Sequence, residues 1–283
     1  MSAAEGAPGT LSLIATPIGN LEDITLRALK KLQTADVILA EDTRRTRILL
    51  DHYNIQRPLE SYHKDNEHQR TPALLRQLTA GQNLALVTDA GTPGISDPGY
   101  WLLAEALRLS LPVEVVPGAS ALLTALVGSG LPMEMFAFFG YPPAKASAQQ
   151  RWFSDLKDRQ ETLVFFVSPH RLVETLEQML AVFGDRRAAL CREMTKKYEE
   201  FQRAPLSELG ALAKRKTQGE YTLVLAGAQE ARRTEEVGIA EQLRRLEAEG
   251  LSLNQAAAQI ARKLGLPRSE VYALAHILAK KRN

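Results

Sequence analysis

Short apolar runs alternate along the chain with longer stretches in which apolar residues recur every three or four positions. Residues 11–16, 37–40, 84–87, 113–116, 135–139, 163–167, 188–191 and 221–226 are runs of the first kind and predict strands. Most are continuous rather than alternating, the pattern of strands covered on both faces. Between them, 25–33, 44–52, 66–79, 98–110, 119–127, 148–157, 170–183 and 206–216 predict helices. Strand–helix alternation of this kind predicts an α/β protein with a mainly parallel or mixed sheet in each half. A Pro/Gly-rich bend at 116–120 is the expected joint between the halves. After Gly227 the strand pattern stops, and 234–248, 252–264 and 268–281 predict three helices. The expected division is a disordered leader over 1–9, an N-terminal α/β domain over 10–117, a second α/β domain over 118–231 and a small all-helical domain over 232–283.

Composition narrows the class. The 283 residues, 45% apolar and 24% charged, are enough to bury two cores. A single cysteine, Cys191, excludes a disulfide scaffold and a cysteine-built metal or iron–sulfur site. Apolar runs such as 135–139 are far too short to span a membrane, and the first ten residues carry no signal-peptide pattern. A cytoplasmic protein without membrane contact is expected. The net charge of +2 hides an asymmetry. Residues 232–283 hold 10 Lys/Arg and 6 Asp/Glu, net +4, so the preceding body holds 25 basic and 27 acidic residues, net −2. A slightly acidic body with a basic tail fits an enzyme with a polyanion-facing appendage.

Chemistry is expected in the loops that leave the strands. The densest is Thr88-Asp89-Ala90-Gly91-Thr92-Pro93-Gly94-Ile95-Ser96-Asp97-Pro98-Gly99, between a buried-strand run and a helix pattern. Three glycines allow positive φ and close approach of the backbone to a ligand, and ligands of open α/β sheets sit at such strand ends. Asp97 followed by Pro98 predicts a helix N-cap and first turn. Neither the dinucleotide nor the phosphate-loop glycine pattern is present. With Asp89 and Asp97 but no Lys or Arg, the loop suits a neutral or cationic guest rather than a phosphate. The loop 14–25, containing Asn20 and Asp23, and the loop 117–121, containing Ser120 and Ala121, repeat the design; taken alone, Asp23 and Ser120 read better as helix caps. In the second half, Arg192, Glu193, Lys196, Lys197 and Glu199 crowd into a segment able to hold a phosphate backbone and move a proton, or simply to form a solvated charged hairpin. His63 and His68 lack zinc-helix spacing and are placed on a loop near the site entrance.

Together these motifs resemble the ribosomal RNA small subunit methyltransferase I family. The resemblance is carried by Ala15-Thr16-Pro17-Ile18-Gly19-Asn20-Leu21 with Asp23-Ile24-Thr25, by Ala40-Glu41-Asp42-Thr43-Arg44, and by Asp89-Ala90-Gly91-Thr92-Pro93 with Asp97-Pro98-Gly99. It continues through Pro117-Gly118, Ser129-Gly130-Leu131-Pro132, Pro169-His170-Arg171, Arg192-Glu193-Met194-Thr195-Lys196 and Gly219-Glu220. The resemblance implies the tetrapyrrole-methylase fold, two α/β domains with S-adenosylmethionine in the cleft between them, commonly as a homodimer. It also implies 2′-O-methylation of a cytidine ribose in the decoding region of 16S rRNA within the small subunit, with no metal. Carried over by motif, Asp89, Gly91, Thr92, Ile95 and Asp97 should touch the cofactor, with Ser120, Ala121, Phe166, Val167, Ala226 and Gly227 completing the pocket. The family usually has Glu where this chain has Val167, and its Gly-Phe-Leu-Pro-x-Lys segment appears here as Gly140-Tyr141-Pro142-Pro143-Ala144-Lys145.

Candidate groups for proton transfer and positioning are Glu193 and Lys196, with Asn20 and Asp23 orienting the nucleotide. Arg44, Lys145, Arg171, Arg192 and Lys197, with Arg262, Lys263 and Arg268 of the tail, are the expected RNA contacts. The tail itself, 253–272, has a helix-turn-helix outline suited to docking or dimer packing. Two rivals stand beside this reading. One is a methyltransferase of the same fold acting on a tetrapyrrole or modified amino acid; the other is a non-enzymatic binding module built on the helix-turn-helix.

Overall fold

The structure, a computed structural model, describes residues 7–213, 218–264, 266, 269 and 271–275, and excludes the side chains of 229–237. Most of the expected third tail helix, and Arg268 with it, lies outside the described residues. Five strands, β1 (Leu11–Ile14), β2 (Val37–Ala40), β3 (Leu59–Ser61), β4 (Leu84–Val87) and β5 (Val113–Val116), form the first sheet in the order β3-β2-β4-β1-β5. Every pairing in it is parallel. Helices α1 (Leu26–Thr34) and α2 (Thr43–His52) cover one face, and α3 (Glu67–Thr79) and α4 (Tyr100–Arg108) the other. β1 shows why its apolar run does not alternate. Leu11 and Leu13 pack with Leu74, Leu78 and Leu102, whereas Ile14 packs with Ala28, Leu32 and Leu50.

The second sheet holds β6 (Phe136–Phe138), β7 (Thr162–Val167), β8 (Arg187–Arg192), β9 (Glu200–Pro205) and β10 (Tyr221–Leu225) in the order β6-β7-β10-β8-β9. Only β6–β7 is parallel. α5 (Ala121–Ser129) covers one face, placing Ala125 and Leu126 among Val164, Ala189 and Val224. α6 (Ala146–Leu156), α7 (Leu172–Phe183) and α8 (Leu206–Ala213) cover the other, around Phe153, Phe165, Leu176, Leu209 and Leu223. The chain passes from the first sheet to the second across 117–120, between β5 and α5. β3 and β9, both edge strands, are not among the strands the apolar pattern marks. In the tail, α9 (Ala228–Ala248) and α10 (Leu253–Leu264) enclose a separate cluster of Ile239, Leu243, Ala257, Ile260 and Val271.

Three expectations about boundaries change. α9 starts directly after β10 rather than at 234. Gly9, expected in a disordered leader, is buried, and its N–H donates to Leu78 O at 2.8 Å. The third concerns α4, which begins at Tyr100 with Gly99 as its cap, so Asp97 does not cap the helix. Gly99 takes φ +130°, and a Cβ there would lie 2.8 Å from Leu86 Cδ2. The turn it permits lets Gly94 N–H reach Pro98 O at 3.2 Å and leaves the Asp97 carboxylate free of the helix.

Gly128 sets how closely α5 lies on β9. A Cβ there would meet Phe201 Cε1 at 2.2 Å, while Arg203 Nε donates to Gly128 O at 2.9 Å. Gly128→Ala is expected to lose about 1–3 kcal/mol in urea unfolding through overpacking, despite alanine's better helix propensity. Unchanged or higher stability would show that the ring moves aside freely.

Candidate active site

All strands of the first sheet run the same way, so the loops after β1, β2, β4 and β5 emerge along one edge. β4 lies between β2 and β1, which puts the glycine loop at the centre of that edge. Thr16 N–H donates to Gly91 O at 2.9 Å and Gly91 N–H returns to Thr16 O at 3.0 Å, stitching the first loop to the glycine loop. Thr16 Oγ1 also donates to Thr88 O at 3.0 Å. Gly91 sits at φ +78°, which a side-chain-bearing residue would adopt only with strain.

Opposite this edge stands the end of the second sheet where β7 finishes and β10 starts, with Tyr221 in register with both Val167 and Arg192. The two edges enclose a cavity of about 490 Å³. Asp89, Gly91, Thr92, Ile95, Asp97, Ser120, Ala121, Phe166 and Val167, all expected to hold the cofactor, lie in its wall. Ser120 also caps α5, accepting from Leu123 N–H at 3.4 Å. Ala226 and Gly227 do not belong to the cavity. β10 runs away from it in pairing with β7 and β8, so they lie about 17–20 Å beyond Tyr221 at ~3.3 Å per residue. Gly227 answers a packing demand there instead, since a Cβ would meet Gln160 O at 2.1 Å.

Carboxylates dominate the cavity. Burial pushes Asp97 up to about 6; the Glu41 charge adds to this, Lys64 opposes it, and Asp89 adds a little more. Glu41 is likewise raised, first by burial and then by Asp89. Asp89 is held from both sides, accepting from Asp42 N–H at 3.0 Å and pairing with Arg45 at 3.3 Å. Glu41, Tyr141, Met194, Glu220 and Tyr221 also line the wall, and the sequence motifs give none of them as a site residue. Neither Val167, at the family's Glu position, nor its neighbours Phe166 and Ser168 can supply a carboxylate there.

The segment 193–199 joins β8 to β9 as a hairpin loop, with Arg192 paired to Glu200. Lys196 Nζ lies 3.1 Å from Glu193 Oε1 and 3.0 Å from Glu220 Oε2. Burial opposes the charge on Lys196, but the hydrogen bonds to Glu220 and Glu193 prevail and raise its pKa. Burial also works against the Glu193 carboxylate, yet Glu220 N–H and Lys196 hold it below the usual range. Thr195 Oγ1 accepts from Asn20 N–H at 3.0 Å, so the hairpin loop latches onto the first loop. Asn20 also caps the 3-10 turn after it, accepting from Glu22 N–H at 3.1 Å. Asp23 lies in that turn, exposed, and α1 is capped by Thr25 instead. Cys191 is buried, and burial pushes its thiol up to about 12, which makes it inert as a nucleophile.

Lys196 lines a second cavity, of about 210 Å³, between the first loop and α2. The expected RNA contacts stand apart from both cavities. Arg44, 89% exposed, grips Asp42 at 2.8 Å. Arg45, one residue on and 61% exposed, lines both cavities. Lys145 is exposed at the start of α6. Arg171 donates to Pro143 O at 3.0 Å, Arg192 to Gln218 O at 3.0 Å, and Lys197 stands 5.6 Å over the Tyr198 ring. Arg262 and Lys263 are exposed in the last turn of α10.

With this architecture, residues 10–210 match the family of tetrapyrrole (corrin/porphyrin) methylases, and residues 235–279 match the RsmI C-terminal HTH domain. Among solved structures, uroporphyrin-III C-methyltransferase of Thermus thermophilus in complex with S-adenosylhomocysteine superposes with a TM-score of 0.54 at 25% identity, over 77% of this chain and 97% of that one. Ribosomal RNA small subunit methyltransferase I of Halalkalibacterium halodurans is 42% identical over 95% of this chain and 95% of its own. The protein of that name from Synechocystis sp. is 44% identical over 94% of this chain and 97% of its own. The chain belongs to the ribosomal RNA small subunit methyltransferase I family, within the tetrapyrrole methylases.

Asp97 makes the site pH-sensitive. Its folded value of about 6 lies above the ordinary 3.8, so the stability it contributes is present at low pH and lost as pH rises through 6. Asp97→Asn should therefore raise the Tm of the ligand-free protein at about pH 8 and leave it nearly unchanged at about pH 4. An equal shift at both pH values would show that the carboxylate is not strained.

Proposed function

We propose that the protein transfers a methyl group from S-adenosylmethionine to the 2′-hydroxyl of a cytidine ribose in the decoding region of 16S rRNA within the small subunit. The observation that carries this reading is the larger cavity. Its glycine loop has no Lys or Arg, and Glu41, Asp89 and Asp97 gather around it. Such a site suits a molecule bearing a sulfonium and an ammonium and disfavours a phosphate. Ile95, Leu122, Phe166, Val167 and Tyr221 supply apolar wall for the rest of the cofactor. When bound, S-adenosylmethionine supplies an electrophilic methyl group whose sulfur loses its positive charge in the transfer.

The chain contributes mainly by fixing the reactants in line. Lys196, held charged between Glu193 and Glu220, is a positioning group here rather than a proton acceptor. Glu193 fixes it, and Asn20 keeps the first loop against the hairpin loop that carries it. Asp23, exposed on the turn that follows, together with Arg44, Lys145, Arg171, Arg192 and Lys197, is assigned to the outer RNA surface. Arg262 and Lys263, with Arg268 outside the described residues, are assigned to the tail's contact with the rRNA backbone. The protein acts as a homodimer in this reading, supported by exposed Val115 on edge strand β5 and exposed Met135 and Phe136 at edge strand β6.

Incubation with methyl-labelled S-adenosylmethionine and isolated small subunits, free 16S rRNA or a tetrapyrrole tests the reading. Label is expected in small-subunit rRNA, on one cytidine, resistant to alkaline hydrolysis because the 2′-oxygen is blocked. Label on the tetrapyrrole alone would overturn it.

A further inference from the structure

Group transfer between two bound molecules needs two binding sites that meet. The two cavities do so, sharing Ile18, Arg45, Asp89, Ala90 and Glu220 in their walls. We propose that the smaller cavity is the acceptor subsite and takes one pyrimidine nucleotide, swung out of its RNA, with its ribose at the seam beside Lys196. The inference rests on the methyl-transfer reading above and goes beyond it by assigning the place and the wall that receive the acceptor.

The first argument is electrostatic. Glu41 and Asp97 line only the larger cavity and Lys196 only the smaller, while Arg45, Asp89 and Glu220 are shared, so the smaller cavity is the less acidic of the two. A cationic cofactor is favoured on the first side, and a nucleotide meets less repulsion on the second. Lys196 spends two of its N–H donors on Glu193 and Glu220, leaving the third for the nucleotide. Arg45 is 61% exposed while paired with Asp89, so its outer edge remains open to a phosphate.

Shape supplies the second. At about 210 Å³ the cavity has less than half the volume of its neighbour and suits one nucleoside rather than a strand. An acceptor must leave its stack to enter such a site, as bases do in enzymes that extrude them. Its apolar walls face each other from two elements, Leu21 in the first loop and Ile48 with Leu49 on α2. Ile48 is 64% exposed although it lines the cavity, as expected of an apolar rim waiting for a flat ring. Thr88 Oγ1, buried in the same wall, has no hydrogen-bond partner among the described residues.

Filling the cavity tests the assignment. Ile48→Trp and, from the opposite wall, Leu21→Trp are made in the full chain, with Leu107→Trp, exposed on α4 outside both cavities, as the control. Methyl transfer to small subunits, S-adenosylhomocysteine affinity by calorimetry and Tm are measured for each. The expected result is a fall in kcat/KM of tenfold or more for Ile48→Trp or Leu21→Trp, whichever keeps the wild-type Tm, with unchanged S-adenosylhomocysteine affinity and near-normal transfer by Leu107→Trp. Wild-type kcat/KM in folded Ile48→Trp or Leu21→Trp would overturn the subsite, as would parallel loss of S-adenosylhomocysteine affinity. Failure of wild-type protein to label rRNA would instead sink the methyl-transfer reading, so the two failures are distinguishable.

Discussion

The reciprocal backbone pair between Thr16 and Gly91 is the contact on which the site depends. It joins the loop leaving β1 to the loop leaving β4, and thereby fixes the wall that both cavities share. Backbone bonds between loops hold only when the flanking strands are rigid, and β1 and β4 are paired neighbours buried along their whole length. From this fixed edge the second sheet is reached through the hairpin loop, by Asn20 N–H to Thr195 Oγ1. Close packing makes that latch specific. A Cβ on Gly19 would lie 2.5 Å from Lys196 Cγ and 2.8 Å from Met194 O. Lys196 is thus placed by sterics from one sheet and by carboxylates from the other.

That placement divides the cleft electrically. Burial first, and then the charges of neighbouring carboxylates, raise the proton affinity of Asp97 and Glu41 beside the glycine loop. A short distance away, Lys196 is kept charged by two other carboxylates. The acidic side is poised for a cationic guest, whereas Lys196, balanced by two carboxylates, offers the other side a hydrogen-bond donor. The strain in the acidic half is what a cationic cofactor would relieve on binding.

The centre of the parallel sheet is legible in the sequence because Val37–Ala40 and Leu84–Val87, four consecutive apolar residues each, fit strands covered on both faces. β3 and β9 escape notice for the same physical reason. As edge strands they are only half-buried, so Leu59–Ser61 and Glu200–Pro205 carry polar residues and show no buried run. The glycine loop is legible as a ligand loop, but Asp97 resembles a helix cap because nothing in the sequence shows that Gly99 delays the helix. Ala226 and Gly227 lie at the wrong end of β10, since a strand's motif does not say which of its ends faces a cleft. Helix phase separates Arg44, exposed beside Asp42, from Arg45, which lines both cavities and which no motif singles out. Arg45, Ile48 and Leu49 follow the three-and-four spacing of one helix face, and that face lines the smaller cavity. Glu220, though part of a recognised motif, gives no sign of its partner because Lys196 lies twenty-four residues away in the chain.

An acidic cleft also poses a problem that the two-part charge distribution answers. Carboxylates that attract a sulfonium repel an approaching phosphate backbone, and a body of net −2 adds no long-range attraction of its own. Adding cations around the glycine loop would attract RNA at the expense of the cofactor. Placing them in a separately cored helical module on the same chain avoids that conflict, since tethering raises the local concentration of RNA without altering the cleft. The cluster of Ile239, Leu243, Ala257, Ile260 and Val271 gives the module its own core, so its surface charge is free of the body's packing. The net +4 of residues 232–283 is modest, but in the proposed reading it has only to hold the subunit near a cleft whose local charges then sort cofactor from nucleotide.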